Sequence, residues 1–497
     1  MGVIKNMIKN WLDYKEPESL NIQINKLTNF EGQAFINNVW YRGESSELQQ
    51  LYEQINDKLN NNRFWGSKPT IGMNIRKIHT GLPAMIVDTL ADISTDDLDK
   101  IEVKERTEEW KEMDKEIHLK DLLNEAVKST LVEGDGVFKI SVDTDISQYP
   151  IIEFYEGSRV DIEYERGRII SYTFKTNKIL NKKQFVLLEK YDINGITFKL
   201  VDKNGKEESM GKYPELSKYS RVKNFNKFMM AVPFIIYKSK KYKGRGKSIF
   251  DSKIDNFDAF DEVWSQWMLA IRKGQLKEYI PESLLPRDPK TGMIIRKSDF
   301  DVSFILTESD MKEGVKNEVK TTQGEINHEA LLSTYVTALD NCLQGLISPS
   351  TLGIDMKKLD NAEAQREKEK TTLYRRNQIV ERLNTVIKEI INITFKVKDT
   401  LEKKDLEDVE VTPTFGGYAN PSFEAQVETV GKASTTNIMS IEAQVEELWG
   451  DTKDEEWKLE EVRRIKEEKG IIEMEEPSVN KDIDLVENDE VLTKEKD

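Results

Sequence analysis

The chain has a single cysteine, Cys342, among its 497 residues, so no internal disulfide framework holds it and a reducing compartment is expected. Histidine is almost as scarce. His79, His118 and His328 lie far apart with no cysteine or carboxylate at ligand spacing, so neither a metal site nor a cofactor is expected. No stretch approaches the roughly eighteen apolar residues of a membrane span, and no membrane partner is expected. The opening MGVIKNMIKNWLDY carries two lysines and lacks the continuous apolar core of a signal peptide. Assembly in the cytosol fits these absences. Catalytic motifs are missing too: no Ser or Cys nucleophile is paired with a histidine in a recognisable pattern. The GRGKS stretch at 244–248 has Lys241 where a phosphate-binding loop needs its first glycine, so it reads as a turn with Ser248 capping the next helix. Cys342 reads as core, and the cluster Trp40, Tyr41, Arg42 and Gly43 as packing rather than base stacking. A formal net charge of −16 disfavours non-specific DNA binding by the surface as a whole.

What is present points to about two to four domains. Residues 17–130 read as mainly helical, with punctuation at 63–69. Ile78, Leu82, Met85, Ile86, Leu90 and Ile93 keep helical spacing and predict a helix over 75–93, and a second follows at 119–132, stopped by Gly134 and Gly136. The texture then changes. VFKISV, IIEFYE, VDIEY, IISYTF, FVLLEKY and ITFKLV alternate apolar and polar residues between Gly, Asn and Asp turns, which predicts an antiparallel meander; VPFIIYK at 232–238 adds a strand. Residues 248–271 return to helix, with Phe250, Phe257, Phe260, Trp264, Trp267 and Ile271 on one stripe and Asp251, Asp255, Asp258 and Glu262 on another. In a monomer the carboxylates read as a solvated face; in a ring they become stacked rings of negative charge.

Residues 272–324 are broken by Gly and Pro and form a small irregular or β module, with seven basic side chains against three acidic ones between 272 and 297. A helix over 325–346 follows, with Leu331, Leu332, Tyr335, Leu339, Cys342 and Leu343 inward. An antiparallel pair of these helices would carry the module outward as a head on a stalk. Pro349 and Gly353 then lead into a run to 401 without another Gly or Pro. Asp360 and Glu363 make a capping box, and Val380, Leu383, Ile387, Ile390, Val397 and Leu401 form the apolar stripe of a helix about 60 Å long. Its first turns are polar, so the loop before it is expected to stand out on a stiff lever. A strand at 409–415 and two or three short helices over 421–470 complete the fold. Residues 471–497 hold ten acidic side chains, three basic ones and no aromatic, the composition of a disordered tail.

Taken in order, WYRGESSELQQLY with NRFWG, IRKIHTGLPAMIVDTLADI, TLVEGDGVFKISVD, the helix–module–helix unit, SPSTLGID with NAEAQREKEKTTLYRRNQIVE, and PSFEAQVETVGKA with MSIEAQVEELWG resemble the portal proteins of tailed bacteriophages, in the SPP1-like branch. The blocks span almost the whole chain; only the acidic tail falls outside. The resemblance implies an α+β portal fold: a wing of helices and β-meander over 1–240 with a return at 405–417, stem helices at 246–273 and 325–346, and a clip at 274–324. It further implies a tunnel loop at 347–360, a long connecting helix at 361–404, a helical crown at 418–470 and the tail at 471–497. The implied function is a homo-oligomeric ring, usually a dodecamer, at one capsid vertex of the virion, assembled in the bacterial host cytoplasm. It would conduct double-stranded DNA in packaging and ejection, without catalysis of its own. Its implied partners are the terminase motor, head-completion or adaptor proteins, and the major capsid and scaffolding proteins. The implied sites are Leu352, Asp355, Met356, Lys357 and Lys358 in the tunnel loop, Asp251, Asp255, Asp258 and Glu262 facing the channel, and Arg287, Lys290, Arg296 and Lys297 for docking on the clip. A nucleic-acid enzyme of the packaging machinery (ATPase or nuclease) and a scaffold or baseplate subunit are the competing readings.

Overall fold

The computed structural model describes residues 29–59, 63–68, 75–202, 204–216, 219, 222–223, 227–281, 284, 287–293, 303–307, 318–354, 362–416, 423–436, 438–449 and 453–470. The chain is α+β and divides into two compact units, Met1–Gly416 and Gly417–Asp497.

The first unit opens with α1 (Phe30–Arg42) and α2 (Ser45–Leu59). Asn29 caps α1 by accepting from the Gly32 amide at 2.8 Å. The helix expected from residue 75 begins later, as α3 (Leu82–Thr95). Residues 75–80 are not helical because their amides have partners elsewhere: Ile78 N–H donates to Ser265 Oγ at 3.0 Å and Thr80 N–H to the Asp261 carboxylate at 3.0 Å. Gly81, at φ 72°, turns the chain, and Pro83 occupies the first helical turn, where its missing N–H costs nothing. A strand that the helical reading of 17–130 did not include follows: β1 (Leu98–Val103), paired antiparallel with β14 (Val411–Phe415). Its partner lies some three hundred residues away, so no local pattern announces it. Next come α4 (Thr107–Ile117) and α5 (Leu119–Glu133).

All six alternating runs are strands: β2 (Asp135–Ser141), β3 (Ile151–Glu156), β4 (Val160–Glu165), β5 (Arg168–Leu180), β6 (Lys183–Asp192) and β7 (Gly195–Asp202). They split between two sheets. β4–β5–β6–β7 is an antiparallel meander extended by β8 (Glu207–Glu208) and β9 (Val222–Lys223), whereas β2 is flanked by β3 and β10 (Ala231–Ile235). The split has a burial cause. β2 is buried at nearly every position on both faces, while β5 and β6 alternate as strands with one wet face do.

α6 (Ile254–Lys273), the three-stranded module β11 (Lys277–Pro281), β12 (Ser303–Thr307) and β13 (Lys320–Thr322), and α7 (His328–Leu343) come next. β11 is central, parallel to β12 and antiparallel to β13. The long helix is α8 (Ala362–Glu402), 41 residues and about 60 Å. The core runs along it: Leu383, Ile387, Ile390 and Val397 are buried as the stripe predicts, but so are Ile379, Val386, Ile391 and Phe395. The stripe is wide because α3, β14, β10 and β2 all pack against this helix. Leu401, expected inward, is 52% exposed, since the helix has by then run past the core. The capping box at Asp360 and Glu363 lies outside the described residues or side chains.

Near its C-terminal end α8 is tied to α4 by an ionic cluster. Arg106 binds both Glu109 and Asp399, the latter at 2.8 Å, and Lys398 also bonds Glu109. The Arg106 hydrogen bond, helped by Lys398 and opposed by burial, holds the Glu109 carboxyl at about 2, below its usual 4.5. A depressed carboxylate stabilises the fold fully above its unfolded pKa and loses that contribution as pH falls toward the folded value. Glu109→Gln is therefore expected to flatten the acid limb of a pH–stability curve between about pH 4.5 and 2. The effect should be about 1 kcal/mol, because solvent screens the partly exposed pair. Urea unfolding at pH 7 and pH 3 measures it; an unchanged difference between the two pH values would rule out this assignment.

The second unit holds α9 (Phe423–Thr435), α10 (Ile441–Trp449) and α11 (Glu455–Glu468). Asp454 caps α11 by accepting from Trp457 N–H at 2.9 Å, Trp449 meets Trp457 edge-on with centroids 5.6 Å apart, and Lys458 bonds Glu446 at 3.0 Å. The acidic segment 471–497 lies outside the described residues.

Candidate functional site

α6 and α7 form an antiparallel pair, and the register can be read residue by residue. Cys342 Sγ lies 3.3 Å from the Asn256 carbonyl, Tyr335 meets the rings of Phe260, Trp264 and Trp267, and Gly274 lies against Ile326 and Gly324. Aromatic residues at 3–4 spacing on α6 thus zip against one tyrosine of α7. Beyond Gly274 the chain enters the β module, and it returns at Gly324. Cys342 is wholly buried, and burial pushes its thiol up to about 12, so it is an inert core residue.

The four carboxylates expected to share one face of the stalk separate. Asp255 is 81% exposed, 2.5 Å from Arg63, and Glu262 is exposed. Asp258 is only 8% exposed and accepts the amides of Phe64 (2.9 Å) and Trp65 (3.3 Å). Burial raises its pKa even though these amides favour the charged form. Asp251 precedes the helix and is half-buried against Asn37, its pKa likewise raised by burial. Asp258 and Asp251 therefore serve the interior of the subunit, because the 63–67 turn and α1 need acceptors there.

One carboxylate was missed by sequence reasoning. Asp261, buried on the same helix, accepts from Trp65 Nε1 (3.1 Å), Thr80 N–H (3.0 Å) and Thr80 Oγ (2.9 Å), and pairs with His79 Nδ1 at 2.7 Å. Its signal was its place among Phe257, Phe260 and Trp264: an acid on an apolar stripe must have partners. Asp258 and Asp261 together bolt the N-terminal body onto the stalk.

The GRGKS stretch is a second bolt. Arg245 donates to Asp135 (2.9 Å), Val160 O (2.8 Å) and Gly157 O (2.5 Å), and the Gly246 amide donates to Asp135 at 2.6 Å. A Cβ on Gly246 would sit 1.9 Å from the Gly134 carbonyl oxygen, so only glycine allows this approach. Ser248 does not cap the helix as expected. Its hydroxyl donates to Leu131 O and accepts from Phe250 N–H in the turn before α6, which begins only at Ile254.

Residues 348–354, the described part of the loop ahead of α8, are held down on the subunit. Ser348 N–H donates to Thr372 Oγ (2.7 Å), Ser350 bonds Glu369 (3.1 Å), and Leu352 and Ile354 pack on the main core. Leu352, expected in the tunnel loop, is half-buried and packs against the core of its own subunit. Asp355, Met356, Lys357 and Lys358 lie outside the described residues, as do Arg296 and Lys297. Arg287 and Lys290 are exposed on the module. Trp40 is buried and donates to Tyr52 Oη at 2.6 Å, a packing role.

A cleft of about 770 Å³ is lined by the six-stranded sheet, the β10–β2–β3 sheet and the end of α8, with Lys139 among its lining residues. Lys139 contacts Glu153 (2.7 Å), Glu189 (3.5 Å) and the Tyr155 hydroxyl (3.1 Å), so its ammonium group is already satisfied from within. Among the described residues no group of His, Cys, Asp and Glu is arranged to hold a metal, and no helix is long and apolar enough to cross a membrane.

Compared with known proteins, the chain matches no protein family and no curated protein. Among solved structures it is similar to a chain described as "Virion of native gene transfer agent (GTA) particle", with a TM-score of 0.39 and 9% identity over 78% of this chain and 94% of that one.

Proposed function

We propose that this chain is the subunit of a portal-type ring, a conduit for double-stranded DNA at a capsid vertex that docks other packaging and head-completion proteins and carries no catalysis of its own. The observation that carries the reading is the stalk: an antiparallel helix pair bearing a small three-stranded module at its far end. It stands in the segment order that the sequence resemblance implies. A stalk bolted to a large body by Asp258 and Asp261 suits a part that must hold its direction under load. Glu262 remains exposed and would present negative charge to a neighbour or a channel, whereas the exposed Asp255 is paired with Arg63. The exposed Arg287 and Lys290 suit a docking role at the stalk end. The GRGKS stretch lends a packaging-ATPase reading no support, because the amide of Gly246 and the guanidinium of Arg245 are engaged with Asp135.

Negative-stain electron microscopy of the purified chain tests this directly. The expected result is rings, about a dozen subunits each, with an axial channel wide enough for a duplex of roughly 20 Å, and no ATP hydrolysis or metal-dependent cleavage. Monomers at every concentration, or nucleotide hydrolysis, would overturn it.

A further inference from the structure

The segment between β10 and α6 carries charge that the stalk does not use. Lys238, Lys240, Lys241, Lys243 and Lys247 fall within ten residues, all five are exposed, and no acidic residue lies between them. The loop that presents them is tightly held. Lys238 bridges Gly246, Ser239 N–H donates to Arg245 O at 3.0 Å, and the Ser239 hydroxyl accepts from the amides of Lys241 and Tyr242. Tyr242 donates to Asn29 O and sets its ring against Phe30, while Arg245 is anchored on Asp135. Among the described residues none of the five ammonium groups is in an ion pair. The carboxylate that feels Lys247 and Lys241, Asp251, is half-buried and bonded to Asn37. In a chain with 90 acidic and 74 basic residues, five unpaired like charges on one fixed support are not accounted for by solubility.

We infer that the 238–247 loop is a contact surface for the phosphate backbone of duplex DNA. A protein partner fits less well. Interfaces between proteins are depleted in lysine and anchored by aromatic residues and arginine, and here the Tyr242 ring is set edge-on to Phe30 and the Arg245 guanidinium is taken up by Asp135. Single strands are gripped by stacking on exposed rings, whereas the loop's one ring, Tyr242, is half-buried against Phe30 with the Lys241 ammonium group 4.8 Å from its centroid. Lysines are hydrated point charges that contact phosphate without reading sequence. The loop also lies beside the segment leading toward 347–360: the Arg375 guanidinium is 5.0 Å from the Tyr237 ring and its Nε donates to Gly345 O at 2.8 Å. The choice of DNA as the polyanion rests on the conduit reading; the charge pattern does not.

The test is fluorescence anisotropy of a labelled 30-base-pair duplex with the full chain at 50, 100 and 200 mM NaCl. Changing all five lysines to Gln should weaken binding at least tenfold at 100 mM salt. The log–log salt slope should fall by about four to five, at roughly 0.9 for each of the five phosphates no longer neutralised. The five-fold Lys→Arg variant, which keeps the charge, should bind like the parent, and both should keep its melting temperature. Unchanged affinity and slope in the Gln variant would overturn the inference. So would a parent that ignores duplex DNA but binds polyglutamate or vesicles containing phosphatidylserine through these lysines. Ring formation is scored separately by microscopy, so a failure of the conduit reading is distinguishable from a failure of this loop.

Discussion

Replacing Asp135 with Ala is expected to destabilise the first unit by about 3–5 kcal/mol, the cost of leaving one member of a buried ion pair without its partner. Asp135 is wholly buried and serves both the Arg245 guanidinium and the Gly246 amide. Without it the guanidinium keeps two backbone carbonyls, Val160 and Gly157, but loses its counter-charge. Arg245→Ala should cost a similar amount, because it strands the carboxylate and also removes the guanidinium stacked 3.7 Å over the Phe30 ring. The double variant should cost clearly less than the sum, since neither charge is then left alone. Urea denaturation of the four proteins closes the cycle. A single-variant cost below about 1 kcal/mol, or strict additivity, would show that the pair is not a bolt.

Along α8, Leu383→Asp and Leu401→Asp should have opposite fates although both residues belong to one apolar stripe in the sequence. Leu383 is 0% exposed, so its replacement buries an unpaired carboxylate in the core. The cost is several kcal/mol, on top of the roughly 2–5 kcal/mol lost with the leucine itself. Most domains have about 5–15 kcal/mol in reserve, so loss of soluble, folded protein is the expected result. Leu401 is 52% exposed, and Leu401→Asp should stay within about 0.5 kcal/mol of the parent. Soluble yield and the melting temperature read both. If Leu383→Asp were tolerated while Leu401→Asp unfolded the chain, the helix would be packed one face round from the arrangement described here.

Much of the architecture was legible in the residues. Alternation with period two located all six runs from 135 to 202 as strands, and the absence of Gly and Pro after 353 marked α8. These features depend on neighbours in the chain, and short-range periodicity carries them. The α+β class follows from the same patterns. The residue-level roles were far less legible. Asp251, Asp255, Asp258 and Glu262 look alike in a helical projection, yet two face inward and two outward.

What the amino-acid sequence determined by itself was therefore local: which stretches are helix or strand, where turns fall, and that Cys342 lies in a core. What only the tertiary structure decided was the pairing of distant groups. β1 is a strand because β14 supplies its edge, residues 75–80 stay out of the helix because Asp261 and Ser265 take their amides, and GRGKS becomes a bolt because Asp135 meets it across more than a hundred residues. The reason is common to all three. A buried donor or acceptor must find a partner wherever the fold brings one, and period and composition do not encode which one it will be.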